Sequence, residues 1–136
     1  MTSLNISFWN LNGHKSQYIG DKLSDSEFID NLAGIDIIGL GEVHAESEVS
    51  IPGFVSKKQK IREKKFQGPK IAGGIGIFVR EEIDDLVEVI SNSNEDSIWI
   101  KISKEKFDGN SDLYLGTYYV SPDTGKDGNK KYYDFF

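Results

Sequence analysis

The chain has 136 residues, of which 38% are hydrophobic and 28% charged, with a net charge of −6, a composition typical of one globular domain. It contains no cysteine, which excludes disulfide bonds and thiolate metal sites. The sequence has no apolar run of the ~20 residues that a membrane span needs and no secretory signal at its start. We therefore expect a cytoplasmic or nuclear protein that is not secreted and has no membrane partner.

The first third of the chain predicts a strand, a helix and a second strand. Residues 4–10 alternate between apolar and polar side chains, as a half-buried strand does. Ser24 is predicted to cap a helix over 25–33, because a glutamate follows three residues later as in a capping box. Gly34 stands where a C-cap glycine belongs. The nearly apolar run 35–40 predicts a strand that is buried on both faces.

The rest of the chain is predicted to be mostly strands. Residues 53–56 favour a short strand, and 83–90 a strand toward its end. Residues 75–79 predict a strand, and the two glycines before it suggest either close backbone approach or a sharp entry. The segments 97–103 and 112–120 alternate in polarity across a polar turn and predict an antiparallel hairpin. The fold class is therefore predicted as α+β.

Polar side chains follow the first two predicted strands. Asn10 and Asn12 end the first strand and Glu42 follows the second. Alternation puts Asn10 and Asn12 on one face, and Asn12 can meet Glu42 if the two strands are neighbours. Carboxylate and amide oxygens suit a hard cation such as Mg²⁺, although Asn12 before Gly13 is also typical of a turn. His44 is interpreted as a residue at the rim of this site.

A basic segment at 57–70 is predicted to contact phosphates. Its seven basic residues and one acid give +6, which leaves −12 for the rest of a chain whose net charge is −6. Binding to DNA is expected to be weak and non-specific, with a salt slope of roughly −3 to −4 if about four phosphates are neutralised. The alternative is a solvated surface loop. The candidate substrate-binding residues are Lys57, Lys58, Lys60, Arg62, Lys64 and Lys65.

Blocks of sequence, in order along nearly the whole chain, resemble the endonuclease/exonuclease/phosphatase (DNase I-like) superfamily. They are Trp-Asn-Leu-Asn-Gly at 9–13 with Ile-Ile-Gly-Leu-Gly-Glu at 37–42, Gly-Gly-Ile-Gly-Ile-Phe-Val-Arg at 73–80, Ser-Ile-Trp-Ile-Lys-Ile at 97–102, and Leu-Tyr-Leu-Gly-Thr-Tyr-Tyr-Val-Ser-Pro at 113–122. The motifs Leu-x-Glu-x-His at 40–44 and Gly-Gly-Ile-Gly-Ile-Phe-Val-Arg at 73–80 most resemble those of the retrotransposon-type endonucleases. The resemblance implies a partial α/β/β/α sandwich of the DNase I-like type.

The resemblance also implies an activity and residue roles. The activity is that of a phosphodiesterase dependent on Mg²⁺ (or Mn²⁺), most closely a retroelement-type DNA endonuclease. Glu42 matches the metal-binding glutamate, Asn12 a position that contacts the metal or its waters, and Asn10 an amide that helps place the scissile phosphate. Tyr119 matches the active-site tyrosine, with Tyr118 as the alternative because a serine intervenes before the following proline.

Two blocks that the superfamily carries in its second half, Gly-Asp-Phe-Asn-like and Ser-Asp-His-like, do not occur in this sequence. We therefore interpret residues 1–136 as the N-terminal part of one domain that is truncated before its second half. The missing C-terminal half is then an expected partner of this chain. Negligible nuclease activity is expected from the chain alone. Apolar side chains left uncovered, either Ile98, Ile100 and Ile102 or those facing them in 113–119, predict marginal stability and self-association.

Two other functions stay open. A non-catalytic acidic binding module, or a degenerate retroelement remnant, would tolerate Glu42→Gln, whereas a metal site would lose its affinity for Mg²⁺ or Mn²⁺. An enzyme acting on inositol phosphates or lipids would use the same basic segment to hold a different polyanion.

Overall fold

This computed structural model describes residues 3–16, 20–45, 47–61, 73–90, 97–106 and 110–118. Within these ranges the strands are β1 (Ile6–Asn10), β2 (Lys15–Ser16), β3 (Gly20–Asp21), β4 (Ile37–Gly41), β5 (Phe54–Lys60), β6 (Ile75–Arg80), β7 (Val87–Val89), β8 (Ser97–Ile102) and β9 (Leu113–Tyr118). The helices are α1 (Ser26–Asn31) and three short 3-10 helices at Lys22–Ser24, Glu81–Leu86 and Lys104–Lys106. No helix in the described ranges has both the length and the apolar character needed to cross a membrane.

Four strands form a mixed sheet in the order β1-β4-β6-β5. β1 runs parallel to β4, with Ile6 opposite Ile37 and Asn10 opposite Gly41, and β6 is antiparallel to both of its neighbours. All five residues of β4 are buried, which confirms the prediction of a strand covered on both faces. β4 begins two residues later than predicted, at Ile37.

β7, β8 and β9 form a second, antiparallel sheet. The pairing of β8 with β9 confirms the predicted hairpin, although the last two residues assigned to it, 119 and 120, lie outside the described ranges. A 3-10 helix over Glu81–Leu86 leads into β7. This agrees with the prediction that 83–90 becomes a strand only toward its end.

One hydrophobic core lies between the two sheets. Ile37, Ile77 and Val79 from the mixed sheet pack in one cluster with the inward-facing isoleucines of β8. Those isoleucines, Ile98, Ile100 and Ile102, have 0% of their surface exposed. The expectation that these three are uncovered is therefore wrong, because β4 and β6 cover them. Of the β9 residues that face them, Leu113 is 40% exposed, whereas Leu115 and Thr117 are half-buried. The alternative location, on β9, therefore stays a prediction.

A second core lies on the other face of the mixed sheet. Phe28 and Leu32 from the α1 region pack with Ile38, Leu40 and Phe78 from β4 and β6 in one buried cluster. The described chain is therefore α+β, with a helical layer, a mixed sheet and an antiparallel sheet stacked in that order.

Arg80, at the end of β6, ties the end of α1 to the mixed sheet. Its guanidinium donates to the carbonyl oxygens of Leu32, at 2.6 Å, and Ile35, at 2.9 Å, and lies 4.1 Å from the centre of the Phe54 ring. The Leu32 carbonyl belongs to the C-cap of α1, so the guanidinium is favoured there by both hydrogen bonding and the helix dipole.

The helix is shorter than predicted and has a different cap. α1 begins at Ser26, and the carboxylate of Asp25 accepts the Phe28 backbone N–H at 3.3 Å. Ser24 belongs to the preceding 3-10 helix, and its hydroxyl donates to the Asp21 carbonyl at 3.2 Å. The predicted Ser24 cap is therefore wrong. The sequence Ser-Asp-Ser-Glu offers a capping side chain in two registers, and the aspartate is the one used.

β5 runs through the start of the basic segment, where the sequence showed no clear periodicity. The pairing with β6 shifts between Ser56, opposite Phe78, and Lys58, opposite Ile77. Lys57 is the extra residue of this β-bulge, so the period of two breaks at that point. β5, at Phe54–Lys60, is longer than the predicted segment 53–56.

Candidate functional site

The ends of β1 and β4 meet at one edge of the mixed sheet, because the two strands are parallel neighbours. Their pairing continues beyond the regular strands. The Leu11 N–H donates to the Gly41 carbonyl at 2.9 Å, and the Gly13 N–H donates to the Glu42 carbonyl at 2.8 Å. Asn12 therefore lies between two hydrogen bonds that fix its backbone beside that of Glu42.

Three residues at this edge have a left-handed backbone. The φ angles are +50° at Asn12, +47° at Glu42 and +52° at His44, and no other non-glycine residue in the described ranges has a positive φ. Asparagine tolerates this conformation, because its short polar side chain bonds locally. For glutamate and histidine it costs of order 1–3 kcal/mol, and such strained residues cluster at functional sites.

Two glycines from the segment before β6 support the strained loop. The Gly74 carbonyl accepts the Val43 N–H at 3.2 Å, and the Gly73 carbonyl accepts the His44 N–H at 2.9 Å. Both glycines have positive φ angles, +79° and +94° in chain order. A Cβ on Gly74 would lie 3.6 Å from the Cβ of Val43. The positive φ angles of the two glycines, which L side chains rarely adopt, are a reason for glycine at both positions.

Asn10 uses its side-chain oxygen locally. Its Oδ1 accepts the Asn12 backbone N–H at 3.1 Å, which closes a small turn at the end of β1. Because Asn12 has left the extended conformation, the alternation that put Asn10 and Asn12 on one face does not reach Asn12. The Asn10 side chain retains its two N–H donors and one acceptor lone pair for other contacts.

The donor set at the two strand ends fits the modest requirements of Mg²⁺. In the described ranges, no three His, Asp or Glu side chains are grouped so as to hold a metal ion. Mg²⁺ usually keeps several waters and takes one or two carboxylates together with phosphate oxygens. The half-buried carboxylate of Glu42 and the exposed amide of Asn12 supply one such carboxylate and one neutral oxygen.

Both histidines of the chain lie beside this edge. His44 packs over Gly13, where an added Cβ would come 3.4 Å from its Nδ1, so the structure places this predicted rim residue against the end of β1. The side chain of His14 is only 16% exposed, with its Nδ1 3.7 Å from the Asp21 carboxylate. That distance is too long for a hydrogen bond, and the buried Nδ1 finds no other partner among the described residues. No sequence pattern indicated this contact.

The predicted phosphate-contacting lysines differ in their surroundings. Lys57 is mostly buried, and its ammonium donates to the Asp84 carboxylate at 2.7 Å, which holds β5 against the 3-10 helix before β7. Lys58 is exposed and Lys60 is half-buried. Arg62, Lys64 and Lys65 lie outside the described residues.

Of the two candidate active-site tyrosines, one lies among the described residues. Tyr119 lies outside the described residues. Its alternative, Tyr118, ends β9, is 41% exposed and lines a groove beside β1. The role of an active-site tyrosine stays a prediction for either residue.

A separate polar cluster lies at the second sheet. Lys101 forms an ion pair with Glu88 at 2.9 Å and lies 4.0 Å from the Asp112 carboxylate. The hydrogen bond to Glu88, and then its charge, raise the pKa of Lys101 above its ordinary value of 10.5. With Asp85 these groups line a cavity of about 200 Å³. Asp85, Glu88 and Asp112 therefore place three carboxylates around one cavity, apart from the ends of β1 and β4.

Comparison with known proteins adds no relative, since no protein-family model, no curated protein and no solved structure matches this chain. The α+β architecture and the geometry of the two strand ends come from the structure. The family resemblance rests on the sequence blocks.

Proposed function

We propose that this chain carries the metal-binding strand ends of a Mg²⁺-dependent phosphodiesterase, most closely a retroelement-type DNA endonuclease. One observation supports the proposal above the others. The hydrogen bond from the Gly13 N–H to the Glu42 carbonyl, 2.8 Å long, joins the ends of two parallel strands that each deliver an oxygen-bearing side chain. In open α/β sheets, ligands bind beyond the carboxyl ends of the parallel strands, and by analogy the ends of the parallel pair β1 and β4 are the place to expect a ligand here.

The resemblance to DNase I-like enzymes suggests how these side chains would share the work. Glu42 would be the anionic metal ligand, and Asn12 would bind the metal or its waters. When bound, Mg²⁺ supplies positive charge that polarises a phosphoryl oxygen and offsets charge on the leaving oxygen. Asn10 would donate its amide N–H groups to the phosphate. The exposed Lys58 would attract the polyanion from a distance.

DNA binding with and without Mg²⁺ tests this proposal. The measurement is the fluorescence anisotropy of a labelled DNA duplex titrated with the full chain, in Mg²⁺ and in chelator at matched ionic strength. We expect Mg²⁺ to raise the affinity of the wild-type chain, because an ion held by Glu42 would supply positive charge to the DNA phosphates. Glu42→Gln should lose this Mg²⁺-dependent gain and keep the weak binding seen in chelator. Glu48→Gln, which removes the same charge from an exposed loop position, is the matched control.

The same experiment separates the alternatives. A Mg²⁺-dependent gain that survives Glu42→Gln would contradict the metal role and favour a non-catalytic binding module. Stronger competition by an inositol phosphate than by unlabelled DNA would favour a phosphatase acting on that class. Plasmid nicking under these conditions is expected to be negligible. Robust nicking that is lost in Glu42→Ala would instead show that the chain alone is an active nuclease.

A further inference from the structure

An open apolar groove separates β1 from β9. It encloses about 290 Å³, and its apolar lining residues include Ile6, Phe8, Ile37, Ile77 and Leu115. Phe8 is 53% exposed although it lies over β4, where a Cβ on Gly39 would come 2.9 Å from its ring. The two sheets therefore cover each other away from this groove and leave apolar side chains open along it.

The edges of the two sheets differ in charge. Among the described strands, β1 and β5 are the edges of the mixed sheet, and β7 and β9 are the edges of the antiparallel sheet. β1 and β9 contain no charged residue, whereas β5 carries three lysines and β7 carries Glu88. Exposed edge strands usually carry charges, which prevent pairing with another chain. The two strands that border the groove lack this protection.

The charged edges lie together on another side of the molecule. β5 contacts β7 and the 3-10 helix that precedes it, and the Lys57–Asp84 ion pair joins β5 to that helix. The sandwich is therefore closed and charged where β5 meets β7. It is open and uncharged where β1 faces β9 across the groove.

We propose that a second copy of this chain covers the groove, in a symmetric dimer. Its two-fold axis would run normal to the sheet layers, along the open side between β1 and β9. This one axis sets each β1 antiparallel to the β1 of the partner and each β9 antiparallel to the β9 of the partner. Both sheets then continue across the interface, and the interface is isologous, as in most homodimers.

Charge and surface area favour a second copy as the occupant. A chain with a net charge of −6 meets its own copy with least repulsion through an uncharged face, whereas pairing through β5 would oppose lysine to lysine. A half-exposed aromatic side chain still offers roughly 100 Å². The exposed apolar side chains of β1 and β9 would supply part of the ~800 Å² per partner of a standard interface, and the paired strand edges would add to it. These side chains are Ile6, Phe8, Leu113, Tyr114 and Tyr118, each 40–59% exposed.

Sedimentation equilibrium of the full chain and of edge variants tests the dimer. The wild-type chain is expected to dimerise reversibly with concentration. Ile6→Lys and Leu113→Lys, which put a charge on β1 and β9 respectively, should each shift the equilibrium toward monomer with an unchanged circular dichroism spectrum. Ser50→Lys adds the same charge at an exposed position outside both edges and should dimerise as the wild type does. If one of the two edge variants does not fold, the other still tests whether a charge at the edge prevents dimerisation.

Disulfide trapping provides a second and independent readout. Because the chain has no cysteine, a single cysteine placed in turn at Ile6, Ser7 and Phe8 has only its copy to pair with. Antiparallel pairing of β1 with itself brings one of these positions within the ~5.5 Å between Cα atoms that a disulfide needs, so one variant should cross-link rapidly and Ser50→Cys should not. A monomeric wild type, or a dimer indifferent to both lysine variants, overturns the proposal. A monomer whose β1 amides are protected from hydrogen exchange also overturns it, and assigns the groove to a different occupant.

Discussion

Glu42 is held in a backbone conformation that glycine would adopt more readily. Its φ of +47° lies in the left-handed region, and its carbonyl is fixed by the Gly13 N–H. A residue without a Cβ would avoid the steric cost of this conformation. The presence of a glutamate there is a local conflict between backbone preference and side-chain identity. Conflicts of this kind are expected at functional sites.

Replacing Glu42 by glycine should stabilise the fold while removing the proposed metal ligand. We expect Glu42→Gly to raise the free energy of unfolding by about 1 kcal/mol, since the left-handed conformation costs an L-residue roughly 1–2 kcal/mol. Urea denaturation measures the stability, and Mg²⁺ titration calorimetry measures the loss of binding. Ser50→Gly, at a position without a positive φ, should instead lower stability. A large loss of stability in Glu42→Gly would mean that the glutamate side chain serves packing.

Part of the site could be predicted from individual residues. Asn12 and Glu42 follow consecutive predicted strands, and a short helix between two strands favours a crossover that makes them parallel neighbours. The sign of φ at Asn12 and Glu42 was not predictable, because it depends on hydrogen bonds to Gly13 and to the diglycine before β6. The approach of His14 to Asp21 likewise exists only once the loop after β1 has folded.

At the scale of elements, the start of α1 offers a direct test of the capping assignment. Asp25 accepts the Phe28 N–H, whereas the Ser24 hydroxyl donates to a carbonyl outside the helix. Asp25→Ala should therefore cost about 1 kcal/mol, the usual cost of losing a capping side chain, and Ser24→Ala should cost clearly less. Chemical denaturation of both variants measures the difference. A larger loss for Ser24→Ala would restore the capping box predicted from the sequence.

The pair formed by Glu88 and Lys101 predicts a pH dependence of stability. The two residues lie opposite each other on β7 and β8, and the hydrogen bond to Glu88 raises the pKa of Lys101 above 10.5. The folded state therefore holds this proton more tightly than the unfolded chain does. The resulting stabilisation is present in full below pH 10.5 and is lost as the pH rises through the folded-state pKa.

Glu88→Gln should weaken this alkaline loss of stability. Because both side chains are partly exposed, at 33% for Lys101 and 65% for Glu88, the change at neutral pH should be small. Urea denaturation at neutral pH and at a pH above 10.5 measures both values, with Glu82→Gln at an exposed position as the control. An identical alkaline decline in wild type and Glu88→Gln would show that the pair does not carry the effect.

The strands differed in how well they could be predicted from the sequence. β4 was evident because its apolar run leaves no polar face. β5 was hidden, because lysines occupy an edge strand and the bulge at Lys57 shifts its alternation. The isoleucines of β8 were correctly placed on one face. Their cover could not be read from the sequence, since it depends on which faces of β4 and β6 turn toward the second sheet.

At the scale of the whole molecule, the described chain forms three layers, and the candidate site and the groove lie on different sides of the central one. The mixed sheet is the central layer, with the helical core on one face and the antiparallel sheet on the other. Its edge beyond β1 and β4 holds the candidate metal ligands, and its side toward β9 carries the uncharged groove. Composition and periodicity predicted the α+β class. The charge difference between the strand edges emerged only once the order of strands in each sheet was known.

The most direct test of the proposed metal site is the location of Mn²⁺ bound by the full chain. Paramagnetic Mn²⁺ broadens the backbone amide signals of residues near it in a proton–nitrogen NMR spectrum. We expect the signals of Asn12, Gly13, Glu42 and Val43 to broaden first, and Glu42→Gln to abolish that selectivity. Selective broadening that is unchanged in Glu42→Gln would contradict the site, as would earlier broadening at the separate carboxylate cluster of Asp85, Glu88 and Asp112.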